Sequence, residues 1–127
     1  MSPEEEAAQA LAALELSTLI AEGQYKEFYS NLSSVLRRYV ERRYGIPASE
    51  MTSSELIAAF RQAAIPTEPA FVCRAFLDNA DLVKFARWTP KVDEVSADLA
   101  RMRRFVQDTT PVPQTEPEPV AEEALPL

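Results

Sequence analysis

Histidine is absent from this 127-residue chain. That excludes His-based nucleophilic triads, imidazole metal sites and the usual near-neutral general base. One cysteine, Cys73, excludes an intrachain disulfide and reads as a small buried hydrophobe. Only two glycines stand against ten prolines, too few to supply the positive-φ turns of a hairpin-rich β fold. No apolar run approaches the roughly 20 residues of a membrane span, and the opening "MSPEEEAAQA" is acidic where a signal peptide is basic.

Basic residues are missing from both ends. Residues 1–23 carry five acids and no base, as do residues 108–127, so all 13 basic residues lie between 24 and 107 beside ten acids. A net charge of −7 makes the chain a poor polyanion binder as a whole. With 46% hydrophobic and 26% charged residues, the length suits one domain around one core.

What remains reads as helices. Ser2, Pro3 and Glu5 form a capping signature for a first helix, expected to run to Glu22 and stop at Gly23. In the second, Tyr25, Phe28, Tyr29, Leu32, Val35, Leu36, Tyr39 and Val40 recur at spacings of three and four, and Gly45 closes it. The tyrosines on that stripe read as core packing with hydroxyls at the rim. "MTSSEL" repeats the capping box with Thr52 and Glu55, for a helix over residues 53–64 carrying Leu56, Ile57 and Phe60 inward. Thr67 is expected to cap a fourth helix with Phe71, Val72, Ala75 and Phe76 inward. Asp78, Asn79 and Asp81 are expected to interrupt it. A short turn, "ADLVKFAR", then forms a corner seated by Phe85 and Trp88, before Thr89 and Pro90 open the last helix, with Val92, Val95, Leu99, Met102 and Val106 on its stripe.

The expected architecture is an all-α, single-domain bundle of about five helices over residues 1–107. A Pro- and Glu-rich tail with no packed core follows over 108–127. Asp78 and Asp81, three apart without a calcium-loop pattern, are explained by capping as well as by a metal.

Two stretches concentrate charge. "RRYVERRYG" sets Arg38 and Arg42 one turn apart, as a docking or phosphate-contacting face or as a solvated helix end with Arg37 paired to Glu41. In "DNADLVKFARWTP" Lys84 and Arg87 point away from the corner. Arg38, Arg42, Lys84 and Arg87 are the candidate partner-binding residues, cations that an acidic partner surface would meet. No catalytic, cofactor-binding or metal-binding residue is assigned, and no cofactor or small-molecule substrate is expected. The alternative is a nucleic-acid-binding domain using residues 37–43, which the acidic flanks oppose.

"EFYSNLSSVLRRYVERRYGIPASEMTSSEL" followed by "LDNADLVKFARWTP" resembles the cytoplasmic helical domain at the C-terminal end of BatD-like oxygen-tolerance proteins. The same residues are similar to a related group of short bacterial membrane proteins of unassigned function. The likeness covers residues 25–106. It implies a non-catalytic protein–protein interaction domain on the cytoplasmic face of the inner membrane, placed after a membrane helix absent from this chain, so that the chain reads as an excised soluble domain. It further implies an assembly with MoxR-type AAA+ ATPases and von Willebrand factor A proteins.

Overall fold

The computed structural model describes residues 1–111. Five α-helices follow one another without a strand among the described residues: α1 (Pro3–Glu15), α2 (Tyr25–Tyr44), α3 (Ser53–Gln62), α4 (Thr67–Phe85) and α5 (Val92–Thr109), with a single 3-10 turn at Ala48–Glu50. The bundle is all-helical, as expected. The tail expected from residue 108 begins later, since α5 continues to Thr109, and its residues 112–127 lie outside the described residues.

Local chemistry explains most boundaries. Ser2 and Thr52 each accept from the backbone N–H three residues on, and Glu5 and Glu55 reach back to the cap N–H, so both capping boxes close as read. α1 ends at Glu15, short of the expected Glu22. Ser17 Oγ donates to the Leu14 carbonyl at 2.8 Å, and the Ser17 N–H turns to the same oxygen at 3.1 Å, tightening the last turn. Gly23 stops no helix and instead closes a separate turn ahead of α2. It adopts φ 75°, the Gln24 N–H bonds the Leu19 carbonyl, and its own N–H bonds that of Ile20.

The fourth helix is the main correction. It runs unbroken through Asp78, Asn79 and Asp81, because Cys73, Phe76, Leu77, Ala80 and Val83 continue one buried stripe across the polar residues. Helix-breaking chemistry in side chains is weak when a stripe of this length is buried. Phe71, expected inward, is exposed, as are Leu82 and Phe85. Phe85 therefore locks no corner, and only Trp88, half-buried, packs on the core. The N-cap positions of α4 and α5 fall to Pro66 and Lys91 rather than Thr67 and Thr89, neither with a side-chain cap. α3 closes two residues early in a turn where Ala64 takes φ 59°. Leu16, just past the end of α1, is exposed instead of joining the stripe.

The core lies between α2, α4 and α5 with α1 laid across it. Tyr29 and Phe76 stack with centroids 6.1 Å apart, Phe60 stacks on Phe105 at 5.7 Å, and Tyr39 meets Phe105 edge-on at 6.1 Å. α1 runs antiparallel to α2, since Glu6 near its start meets Arg38 and Arg42 near the end of α2. α5 runs parallel to α2, with Tyr29 opposite Asp98 and Tyr39 opposite Thr109.

Candidate functional site

Three of the four predicted cations lie on the two sides of α2, Arg38 and Arg42 on one and Lys84 on the other. Arg38 Nε and Arg42 Nη1 grip the two carboxylate oxygens of Glu6 at 2.9 and 3.0 Å, and Arg42 also donates to the Met1 carbonyl. The hydrogen bond from Arg38, then that from Arg42, holds the Glu6 carboxyl below the usual carboxylate range. Such exposed pairs contribute little to stability. Both guanidiniums remain at the surface and exchangeable for a partner's carboxylates.

Lys84 sits on the other flank. Its ammonium lies 5.7 Å from the centroid of the Phe85 ring, on the rim of a 460 Å³ hollow between α2, the start of α3 and the end of α4. Ser30 and Ser34 of α2 and Ser53 of α3 line that hollow. Ser34 also lines the apolar hollow beside Arg38, so Arg38 and Lys84 flank one exposed α2 ridge. Arg87 stands apart, exposed just past the α4 terminus at φ 58°. There the Trp88 N–H closes on the Leu82 carbonyl, so helix closure rather than a binding role fixes its backbone.

The basic run at 37–43 is largely occupied. Arg37, expected to pair with Glu41, turns the other way: its Nη1 donates to the carbonyls of Ala48 and Met51, both at 2.6 Å, and its Nε to Ser33 Oγ. It thereby ties down the 3-10 turn, whose carbonyls no helix satisfies. Glu41 instead accepts from the Ser49 N–H at 2.8 Å. Arg43 donates to the Thr109 carbonyl and lies 3.5 Å from Glu4. Arg37 and Arg43 are thus engaged by backbone carbonyls of this chain, which leaves Arg38 and Arg42 as the exchangeable cations of the run.

One polar centre escaped the sequence reading. Asp98, fully buried, accepts from Tyr29 Oη at 2.6 Å, Arg101 Nη1 at 2.7 Å and Asn79 Nδ2 at 3.2 Å, joining α2, α4 and α5. Burial pushes its carboxyl up against the opposing pull of these donors. Burial and then the Asp98 bond push the Tyr29 phenol up as well. The signal was present: Asp98 stands in register with Val95, Leu99 and Met102, where an acid on an apolar stripe needs buried partners. Its donors all point at the carboxylate, which marks a packing device rather than a reacting centre.

Cys73 is buried, and burial raises its thiol well above the ordinary range, so it is inert. Among the described residues no three Cys, Asp or Glu side chains converge as metal ligands, and no helix is long and apolar enough to cross a membrane. Compared with protein-family models, curated proteins and solved structures, the chain matches none.

Proposed function

We propose that this bundle is a non-catalytic docking module whose partner meets the exposed α2 ridge, with Arg38 and Arg42 on one flank and Lys84 on the other. The observation that carries it is the pairing of surface cations with open hollows on both sides of that ridge. An acidic segment laid along the ridge would take over the guanidiniums from Glu6 on one side and meet Lys84 on the other. Arg87 adds long-range attraction near the same end. The resemblance to the BatD-like domain supports a setting at the cytoplasmic face of the inner membrane, with a MoxR-type AAA+ ATPase or a von Willebrand factor A protein as partner.

Binding of the purified domain to those two candidates, measured by interferometry at several salt concentrations, tests this reading. Reversing Arg38 and Arg42 together, or Lys84→Glu alone, weakens binding at least about tenfold, and added salt weakens the wild type in the same direction. Undiminished binding by all the variants removes the α2 ridge as the docking surface.

A further inference from the structure

The solvent face of α4 has an order that is nearly the same from either end. Counting outward from Asp78, Arg74 and Leu82 stand four residues away on opposite sides, and Phe71 and Phe85 stand seven away. At 3.6 residues per turn these five positions share a stripe about 80° wide. All five are exposed, the two phenylalanines at 71% and 77%. The flanks differ: Asp81 lies on the same side of the stripe as Arg74, and Ala75 on the same side as Leu82. Arg74 and Asp78 have no ion pair among the described residues, and Asp81 has only a 3.3 Å bond from Ser53 Oγ. Beside the charged flank, hollows of about 220 and 200 Å³ adjoin at Ile57 and Arg74 and leave a trough between α3 and α4.

Scattered exposed phenylalanines need no explanation. Two at equal distances from one residue, with opposite charges set between them, describe a surface complementary to itself. We propose that this face of α4 forms a symmetric homodimer, the helices of two copies lying antiparallel across a two-fold axis at Asp78.

A two-fold axis perpendicular to both helices sets each residue opposite the one equally far on the other side of position 78 and leaves each flank facing its own kind. Phe71 then meets the partner's Phe85 at both ends, with the two aromatic pairs about 21 Å apart. On one flank Arg74 meets the partner's Asp81, and on the other Leu82 covers the partner's Ala75. The two Asp78 carboxylates face each other at the axis, each bracketed by an Arg74 from both copies. A parallel pairing would instead oppose arginine to arginine and aspartate to aspartate in every charged layer, so the charges select the antiparallel one. Four mostly exposed rings with their flanking side chains bring roughly 1,000 Å² into contact, the lower end for a specific interface. The dimer is therefore weak, dissociating in roughly the micromolar range.

Sedimentation equilibrium of the full chain over roughly 5–500 µM tests this without any partner protein, so its outcome is independent of the docking role above. The wild type shifts from monomer to dimer across that range. Arg74→Glu makes the face wholly acidic, and the double variant Asp78→Arg with Asp81→Arg makes it wholly basic. Each alone dissociates at least about tenfold more readily, and an equimolar mixture of the two recovers a dimer, because every acid then faces a base. Arg74 and Asp78 are exposed and Asp81 is half-buried, and unchanged circular dichroism confirms that the variants fold. A wild type that stays monomeric, a dimer that both variants leave intact, or a mixture that does not pair would each overturn the proposal.

Discussion

The two sides of the bundle use the same residue types for opposite ends. Where α2 faces α5, aspartate and aromatics are sealed: Asp98 is enclosed by Tyr29, Asn79 and Arg101, Thr109 bonds Tyr39, and Phe105 is stacked on Phe60. On the outer side of α4, Asp78, Phe71 and Phe85 stand in solvent beside an open trough. Residue type alone does not separate the two sides. Helical phase does: Asp98 shares the phase of Leu99 and Met102, whereas Asp78 shares the phase of exposed Arg74 and Leu82. An aspartate is structural or peripheral according to which neighbours lie three and four residues away.

The sharpest way to break this contrast is to truncate one phenylalanine on each side. Phe105→Ala, at a fully buried ring that touches both Phe60 and Tyr39, costs about 3–5 kcal/mol. Phe85→Ala costs about 0.5 kcal/mol or less, because its ring is already in water. Urea melts of the two variants check this, and similar midpoints would erase the distinction.

The polar half of the contrast comes next. Asp98→Ala leaves the Tyr29 hydroxyl and the Asn79 amide without their acceptor and costs about 2–4 kcal/mol. Arg101 reaches solvent, which keeps the figure below that of a sealed ion pair. Asp98 also gives a pH signature. Burial raises its folded-state pKa above the ordinary 3.8, so the native chain holds this proton more tightly than the unfolded one. That contribution is complete below pH 3.8 and is lost as pH rises through the higher folded value. Relative to Asp98→Asn, which does not titrate, the wild type loses stability as pH climbs out of the acid range and then levels off. Midpoints taken at intervals from pH 4 to 7 show this, and a difference independent of pH would refute it.

The smallest effect is a gain. Ala64 closes α3 at φ 59°, a left-handed conformation that suits glycine. Ala64→Gly raises stability by about 0.5–1 kcal/mol. A loss on the same urea assay would mean that the closing turn carries no strain.

Much of the fold was legible because its signals are local. Both capping boxes, the α2 stripe and the glycine stop at Gly45 need only neighbours within one turn. What failed depended on competition between signals. Asp78, Asn79 and Asp81 look like a break until the buried stripe from Cys73 to Val83 is weighed against them. Ser17 looks like an ordinary helix residue until its hydroxyl takes the Leu14 carbonyl. Of the candidate surface, the outward placement of Arg38 and Arg42 was readable from phase. Their shared grip on Glu6, and the inward turn of Arg37, depend on contacts with distant segments that no spacing encodes.

Scarcity of glycine has a kinetic consequence. Among the described residues four turns end on a left-handed residue and two of these are glycine, leaving Ala64 before α4 and Arg87 after it to hold that conformation with a side chain attached. α4 is thus hinged at both ends by joints that relax when they open. Relief of about 1 kcal/mol at a joint makes its local opening about fivefold more frequent than at an unstrained turn. Amide exchange in residues 63–65 and 86–89 should therefore outpace that at the Gly23 and Gly45 turns, so that α4, whose outer face carries exposed Phe71 and Phe85, is also the helix whose borders breathe first.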